Sequence, residues 1–491
     1  MAECTENDLI RWSYNCYDIS NTLEVLEVQT DILASEDIKL QELYRYQVDK
    51  LHPQLLYTMY RGVKVDKEQK EELYAFFSKM MVDVKKSIQE AIGLKWYIDE
   101  KGNIVYPFNI NSPVQIKKVL GDLLGIEIKV FKGKETCNSA AMLEYIEDYP
   151  LYRPFLTLLL EHASLKVFTN NFLGMKLDSD DRARTQYRIT GTDTGRLAST
   201  KNVWGGGANF QNLPEKGKIK LKYAIETLEE DEEDDNSLLS SLSYEGTISL
   251  PNIKKIFLPD EGKEIADADL SGADIQIVAA DSDCKWLLDF FANPKGKVYK
   301  YIASEFFQRE ITDEEYKTYK GIFHGTNYLM GIKKLAIMAG ISESLAKELQ
   351  DFYFHLNPEV KKWQEDIQKE IATKGYLTTI FGRRRWFLNK NDPMLANKAT
   401  AFKPSSTIAD LVNHSWVDLV EKHKEIDVLM QTHDSLTVQY DIKEASWARK
   451  AIIQCMERPL IFPSTTIIIP ADLKCSLVSY GDCKKPKEDV K

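Results

Sequence analysis

The sequence predicts an α+β fold in which helical blocks accompany an antiparallel sheet. A short apolar run, 265–268, ends in Asp269 and is followed by Ser271-Gly272, as in a buried strand that stops at a carboxylate. Two further strand-like runs, 428–432 and 436–440, are joined by His433-Asp434-Ser435 and predict a hairpin. Long segments on either side carry apolar residues at helical spacing, which favours helices around the sheet.

Composition predicts an ordinary soluble protein of several domains, because the chain has 491 residues and is 43% hydrophobic. No stretch is apolar enough to span a membrane. The N-terminus lacks a basic region followed by an apolar run, so we expect no secretory signal and a cytoplasmic location. The seven cysteines are scattered without a Cys-x-x-Cys pair, which indicates reduced thiols instead of disulfides or a zinc site.

The formal net charge of −11 does not exclude a nucleic-acid partner. The unbroken acidic run 229–235 contributes much of the excess, and it belongs to a serine-rich segment, 217–252, that we expect to be a solvated insertion. Binding to nucleic acid depends on a local basic surface, not on the total charge.

The carboxylates at the two predicted strand ends are the strongest functional signal. A carboxylate at the end of a buried strand must be paired, hydrogen-bonded or bound to metal, because an isolated buried charge costs several kcal/mol. Asp269 and Asp434 on adjacent strand ends could share two divalent cations, an arrangement that serves in-line phosphoryl transfer. Asp267 is a competing candidate, since it lies two residues earlier on the same strand face.

Helical signals dominate 51–176, where Ser112 and Pro113 indicate the N-cap and first turn of a helix. An earlier helix runs through Leu23, Leu26 and Val28. After the first carboxylate strand we expect helices at 299–307, 313–338, 342–353 and 358–374.

Within 313–338, Lys320, His324 and Tyr328 are spaced i, i+4 and i+8, so they project from nearly one helix face. A cation that can reach a triphosphate would lie one turn from a ring that can stack on a base. The alternative is a core helix with an incidental lysine.

Two other stretches suit contact with phosphates and sugars. The segment 190–214 is rich in glycines, hydroxyls and amides and contains Arg196. The segment 381–387 clusters Arg383, Arg384 and Arg385 between aromatic residues. A plain surface loop and a solvated turn are the respective alternatives.

The frame Asp269-x-Ser271-x-x-Asp274, with His433-Asp434 far downstream, resembles the family A DNA polymerases, in a phage-like branch. The family motifs are Asp-x-Ser-x-x-Glu and His-Asp-Glu, so Asp274 and Ser435 depart from them. The resemblance implies a right-hand polymerase fold, with an antiparallel palm sheet and a mainly helical thumb and fingers. The implied divisions are an exonuclease-domain remnant at 1–48, thumb at 49–185, palm at 186–281, fingers at 282–376 and the rest of the palm at 377–491.

The resemblance also implies a template-directed DNA polymerase that adds dNTPs to a primer 3′-hydroxyl in phage-type replication. Its cofactor would be Mg²⁺, as two ions, with Mn²⁺ possible. The implied metal ligands are Asp269, Asp434 and the backbone carbonyl of Leu270. The implied dNTP-binding residues are Lys320, His324, Tyr328, Asp274, Tyr299 and Lys317. The implied DNA-binding residues are Arg196, Gln211, Asn212, Arg383, Arg384 and His433.

The nucleotide-binding helix departs from the family pattern at several positions. His324 stands where phenylalanine or tyrosine is usual, and Leu329 replaces a second glycine. Tyr316 stands where an arginine is expected, and Lys317 could supply that charge from the next position. Tyr299 takes the place of a histidine that binds the triphosphate.

Two alternatives to a DNA polymerase stay open at this point. A related single-subunit RNA polymerase is disfavoured by Asp274, which resembles the family's barrier to a 2′-hydroxyl. A catalytically silent nucleic-acid-binding subunit is disfavoured by the intact aspartate pair.

Tyr14-x-x-x-Asp18 resembles the last motif of a proofreading exonuclease, here expected to be inactive. The expected partners are primer-template DNA, dNTPs and a separate proofreading exonuclease or processivity factor, with no membrane.

Overall fold

The computed structural model describes residues 6–95, 97–101, 104–131, 134–214, 220–221 and 248–486. Most of the predicted insertion at 217–252, including the acidic run, lies outside these residues. The α-helices are α1 Glu6–Ser35, α2 Ile38–Arg45, α3 His52–Arg61, α4 Lys67–Ala91, α5 Pro113–Lys118, α6 Ser139–Asp148, α7 Arg153–Lys166, α8 Ala273–Asp281, α9 Lys285–Ala292, α10 Val298–Phe307, α11 Asp313–Asn327, α12 Ile332–Ala339, α13 Glu343–Leu356, α14 Pro358–Lys374, α15 Leu395–Lys422 and α16 Ala445–Met456.

The strands are mostly short. They are β1 Val63–Val65, β2 Tyr97–Ile98, β3 Ile104–Val105, β4 Val130–Phe131, β5 Lys134–Glu135, β6 Arg182–Ala183, β7 Thr185–Arg188, β8 Ala198–Lys201, β9 Lys220–Leu221, β10 Ile248–Ser249, β11 Phe257–Leu258, β12 Lys263–Leu270, β13 Tyr376–Thr378, β14 Arg384–Trp386, β15 Asp427–Thr432, β16 Ser435–Asp441, β17 Leu460–Ile461, β18 Thr466–Ile467 and β19 Ala471–Ser476. Wider π-helical turns follow three of the helices, at Tyr46–Leu51, Val119–Leu123 and Val167–Leu173.

The central sheet has the strand order β15-β16-β12-β19, and all of its neighbouring strands are antiparallel. Because side chains alternate across a strand, β12 has two different faces. Ala266, Ala268 and Leu270 pack into a core that also contains Trp416 of α15 and Ile452 of α16. The opposite face carries Asp267 and Asp269. The predicted strand and hairpin are therefore confirmed, and the sheet presents Asp267 and Asp269 away from these helices.

A tight turn leads from β12 into α8. Gly272 has φ +60°, a left-handed conformation that glycine adopts without a steric penalty. The backbone N–H of Ser271 donates to the carbonyl of Pro470 at 2.8 Å, which fixes the turn beside β19. The turn therefore places the start of α8, and with it Asp274, next to the end of β12.

The N-terminal helical region, α4 to α7, packs around Phe77, Leu156 and Phe168. The predicted cap at α5 is confirmed, because the hydroxyl of Ser112 accepts from the N–H of Gln115 at 3.4 Å and Pro113 is the first helical residue. Burying one face of each helix in a shared core is what holds such a region together.

The helical insert, α9 to α14, has its own core and separates β12 from the hairpin. The helices predicted at 299–307, 342–353 and 358–374 are confirmed with small shifts at their ends. The single helix predicted at 313–338 is wrong, because the chain breaks between α11 and α12. Leu329 has φ +57° at this break. The side-chain amide of Asn397 donates to the carbonyls of Tyr328 and Leu329, at 2.7 and 2.8 Å, so α15 holds the break in place.

Helix α1 confirms the predicted N-terminal helix but leaves its apolar side chains in solvent. Leu23, Leu26 and Val28 are 54%, 52% and 59% exposed. In the part of the chain that the structure describes, no helix is long and apolar enough to cross a bilayer. The described cysteines are all free thiols, as predicted.

Candidate active site

The structure brings Asp269 and Asp434 together at one end of the central sheet. Asp269 is opposite Ser435 in the register of β12 and β16, and the N–H of Leu270 donates to the carbonyl of Asp434 at 3.2 Å. The hairpin turn contains only His433, at φ +53°, and Asp434. Ser435, predicted to lie in the turn, instead begins β16.

The acids of β12 differ in how well they are paired. The carboxylate of Glu264 accepts from Arg449 at 2.8 Å and from the hydroxyl of Tyr440 at 2.7 Å. Asp267 accepts from the hydroxyl of Thr437 at 3.2 Å. Across the described ranges, no hydrogen bond or ion pair reaches the carboxylate of Asp269.

Asp434 resembles Asp269 in this respect, since its carboxylate also has no hydrogen bond or ion pair with a described residue. Burial, together with the negative charges of Asp434 and Asp267, raises the pKa of Asp269 to about 7. The strand ends therefore concentrate negative charge and keep carboxylate oxygens free.

This donor set fits a hard divalent cation such as Mg²⁺ or Mn²⁺, which prefers carboxylate and carbonyl oxygens. The described residues contain no group of three or more His, Cys, Asp or Glu side chains arranged to hold a metal. Two carboxylates would leave the other coordination positions to water, substrate oxygens or the backbone. The predicted backbone ligand, the carbonyl of Leu270, belongs to the residue after Asp269.

The sequence interpretation missed the neighbouring strand β19. Asp472 is opposite Asp269 in the register, and Lys474 is opposite Asp267. Asp472 forms ion pairs with Lys485 at 2.8 Å and Lys474 at 3.7 Å. The alternation of polar and apolar residues from 471 to 475 is the signal that could have predicted a strand with one polar face.

A second cluster joins α8 to the end of α11. The hydroxyl of Tyr328 donates to the carboxylate of Asp274, and Nδ1 of His324 lies 3.3 Å from Oδ2 of the same carboxylate. The His324 and Tyr328 rings meet edge to face, with centroids 5.1 Å apart. Burial raises the pKa of Asp274, while His324, Tyr328 and Arg196 oppose that change. The structure therefore assembles these three predicted residues into one cluster.

The lysines of α11 are available to a ligand. Lys320 and Lys317 are both exposed, one turn apart on the helix, and neither forms an ion pair with a described residue. Tyr316, at the position of the family arginine, packs beneath Lys297, whose Nζ is 4.7 Å from the ring centroid. A cation thus reaches this position from the start of α10.

The placement of Tyr299 corrects its predicted role. Its side chain is only 5% exposed, and its hydroxyl accepts from the amide of Asn327 at 3.1 Å. The same Asn327 accepts from the hydroxyl of Tyr353 at 2.6 Å. Because the Tyr299 hydroxyl is hydrogen-bonded inside the helical insert, its side chain does not lie on the exposed face that carries Lys320 and His324.

The predicted loop at 190–214 follows β7 and contains the hairpin turn, strand β8 and a short helical turn beside the site. Arg196 is half-buried, and its Nε has no hydrogen-bond partner among the described residues. Gln211 accepts from the N–H of Ser199 at 3.0 Å and donates to Gln431 at 2.8 Å, so its amide ties the loop to β15. Asn212 and His433 are exposed.

The arginine cluster at 383–385, predicted to contact phosphates, is paired with carboxylates of the chain itself. Arg383 forms a two-point pair with Asp410, at 3.0 and 2.5 Å, and Arg384 pairs with Glu36 at 2.6 Å. Arg385 pairs with Asp193 at 2.6 Å. These carboxylates come from distant parts of the chain, so the cluster joins α15, the N-terminal segment and the 190–214 loop.

Close packing also ties the Arg383 side chain to the 190–214 loop. A side chain at Gly195 would place its Cβ 2.4 Å from the guanidinium, so only glycine permits this approach. The loop that carries Arg196 is therefore built directly onto the Arg383 side chain.

A profile of the family described as DNA polymerase family A matches residues 67–477. The DNA polymerase I of Caldicellulosiruptor bescii is 26% identical over 364 residues, which cover 71% of this chain and 38% of that protein. The DNA polymerase I of Borreliella burgdorferi is 24% identical over 459 residues, which cover 91% of this chain and 45% of that protein. The chain thus spans less than half the length of these relatives.

A solved structure described as the POL domain of Pol1 from M. smegmatis, in complex with DNA primer-template and dNTP, shares the fold. The TM-score is 0.70 at 23% identity, with 88% of this chain and 69% of that chain covered. At this identity the similarity establishes the architecture.

Proposed function

The chain belongs to DNA polymerase family A, and on that premise we propose that it is a template-directed DNA polymerase. It would join the 3′-hydroxyl oxygen of a primer to the α-phosphorus of a dNTP, break the bond to the β-phosphate and release pyrophosphate. The observation that carries the proposal is the pair Asp269 and Asp434, which meet at adjacent strand ends, with no described residue donating a hydrogen bond to either carboxylate.

In this proposal the central sheet is the palm, the helical insert is the fingers and the N-terminal helical region is the thumb. Asp269, Asp434 and the carbonyl of Leu270 would hold two Mg²⁺ ions. Bound metal supplies a lower pKa for the attacking hydroxyl and stabilisation of the leaving group. The carboxylates then need no protein cation as a partner, which agrees with the absence of an ion pair to either one among the described residues.

The α11 face would bind the incoming nucleotide. Lys320 and Lys317 are exposed cations that can neutralise a triphosphate, and the His324 ring can stack on the base. Tyr328 and Asp274 lie deeper and are hydrogen-bonded to each other, so they would form a rigid wall beside the sugar. That wall is our proposed barrier to a 2′-hydroxyl.

DNA would contact the exposed or unpaired polar groups around the site. These are Arg196, whose Nε lacks a hydrogen-bond partner in the part of the chain that the structure describes, and the exposed Asn212 and His433, with Gln211 holding the loop. We leave Arg383 and Arg384 out of this set, because both guanidiniums are occupied by carboxylates.

Primer extension tests the proposal directly. The purified chain should extend a labelled primer with dNTPs and Mg²⁺, and much less with NTPs. Asp269→Ala or Asp434→Ala should abolish extension while primer-template affinity stays largely intact, and Asp267→Ala should be milder. Glu261→Ala, an exposed acid in the turn before β12, is the matched control and should extend normally. Near-normal extension by either aspartate variant would overturn the assignment, and preference for NTPs would indicate an RNA polymerase.

We also propose that α1 is a remnant of an exonuclease domain without nuclease activity. Tyr14 and Asp18 lie exposed on this helix, and one aspartate cannot build a two-metal site. Incubation of the Asp434→Ala protein with single-stranded DNA and Mg²⁺ checks this point. Metal-dependent 3′ to 5′ degradation would contradict it. The phage-like branch and a role in phage replication remain predictions.

A further inference from the structure

A cavity in the N-terminal helical region lies among α5, α6, α7 and the π-helical turn after α7. Its volume is about 470 Å³, within the size range of small-molecule sites. Ile116, Met142, Leu159 and Leu160 give it an apolar wall. It belongs to a different region from the central sheet and from the α11 face.

The polar part of the cavity wall has an unusual charge balance. Among the described lining residues Lys166 is the one ionised side chain, and the other polar groups are neutral amides, a hydroxyl, a thiol and an imidazole. None of these described lining residues is an acid, although the whole chain carries an excess of acids. A ligand that enters this space therefore meets positive potential and hydrogen-bond donors.

His162 forms part of this wall and is only 2% exposed. Its Nε2 has no hydrogen-bond partner among the described residues, and a buried polar atom without a partner carries a cost. Burial, with the charges of Lys85 and Lys166, lowers the pKa of His162 to about 4, so the ring is neutral near pH 7.

Lys85 adds a second cation close to the same histidine. Its pKa is lowered by burial and by the charge of Lys166. Neither lysine forms an ion pair within the described ranges. Two neighbouring cations beside an apolar cavity with no acid among its described lining residues favour an anion with an apolar body.

We propose that this cavity is a binding site for a small organic anion, with an apolar ring or chain against Met142 and Leu160 and its charged group toward Lys166 and His162. The alternative is a solvent-filled space in which water satisfies the imidazole. This inference is independent of the polymerase proposal, since it uses none of the residues at the central sheet.

Calorimetric titration of the full chain with three matched probes tests it. The probes are 3-phenylpropionate, its uncharged amide and 3-phenylpropylamine, which share one apolar body. The carboxylate should bind one site with a Kd of about 1 mM or lower, as expected for a fragment of this size. The amide should bind at least about 10-fold more weakly, and the amine should not bind.

Four variants locate the site. Lys166→Gln changes an exposed side chain, so folding should be kept, and the carboxylate should bind about 10-fold more weakly. Leu160→Trp should fill the cavity and His162→Phe should remove the imidazole, each weakening binding similarly. His414→Phe is the control, because that half-buried ring stacks on Tyr46, 3.8 Å between centroids, away from the cavity. Absence of saturable binding, equal binding of the amide, or affinity unchanged in Lys166→Gln and Leu160→Trp would each overturn the proposal.

Discussion

Asp269→Asn should stabilise the metal-free protein while abolishing primer extension. The folded-state pKa of Asp269 is raised from 3.8 to about 7, mainly by burial and then by the charge of Asp434. The folded chain therefore holds this proton more tightly than the unfolded chain. The wild-type unfolding free energy falls as pH rises from about 4 to about 7, and the loss is complete above pH 7. Asparagine cannot ionise, so the variant avoids this loss.

The size of the effect follows from the pKa change. Three pKa units correspond to about 4 kcal/mol, and solvent screening of this partly exposed carboxylate reduces the expected gain to about 2 kcal/mol. Urea unfolding followed by tryptophan fluorescence, in EDTA, should show a difference of at most about 1 kcal/mol between variant and wild type at pH 4.5, because only part of the stability has been lost at that pH. At pH 8 the variant should be more stable by about 2 kcal/mol.

Added Mg²⁺ provides the second half of this experiment. At pH 8, Mg²⁺ should stabilise the wild type, because a cation that binds only the folded state shifts the equilibrium toward it. The ion should stabilise Asp269→Asn much less. Glu261→Gln, the exposed control, should follow the wild type throughout. A stability difference that is absent at pH 8, or equal at pH 4.5 and pH 8, would refute the assignment of Asp269 as a strained, uncompensated carboxylate.

Lys320→Ala should lower kcat/KM by about 10²-fold, or about 2.7 kcal/mol, for all four dNTPs alike in steady-state incorporation, and an effect on one base alone would exclude a triphosphate contact. His324→Ala should weaken nucleotide binding and alter discrimination on mismatched templates, whereas His324→Tyr should keep activity; a loss of DNA affinity alone would argue against base stacking. Leu329→Gly should be about 1 kcal/mol more stable than Leu329→Ala in urea unfolding. Both variants lose the leucine side chain, but only alanine keeps a Cβ atom at φ +57°. Equal stability would show that the backbone at this break is not strained. Arg383→Met should lower the unfolding free energy by about 3 kcal/mol, because it leaves Asp410 buried and unpaired. The double variant Arg383→Met with Asp410→Leu should recover most of that loss. A stable Arg383→Met protein with weakened DNA binding would instead show that Arg383 contacts phosphate.

The acidic end of the sheet could be predicted from sequence because its signals are local. The alternation before Asp269, the Ser271-Gly272 break and the short hairpin each depend on a few neighbouring residues. The Ser112 cap is equally local. The structure agrees with all of these elements to within a residue or two, and it brings Asp269 and Asp434 to the same edge.

The features that could not be predicted from the sequence depend on contacts between distant parts of the chain. The break at Leu329 depends on Asn397, which donates to it from α15, 68 residues away, and leucine itself gives no sign of a left-handed conformation. The sequence alone shows the arginine cluster as unpaired positive charge, whereas the fold places Asp410, Glu36 and Asp193 beside it. Charge counted along a sequence cannot show which carboxylates the fold supplies as partners.

The order of strands in the central sheet has a consequence for folding. β12 pairs with β16, although Asp269 and Asp434 are 165 residues apart in the sequence, so the sheet closes a very long loop. On a logarithmic closure law this costs roughly 4 to 5 kcal/mol of chain entropy. The helical insert has its own core and local contacts, so it can form first and shorten the open loop. Recovery of primer extension after dilution from urea should therefore lag behind recovery of helical circular dichroism. Substitutions in the insert core should delay the appearance of active protein without touching either aspartate.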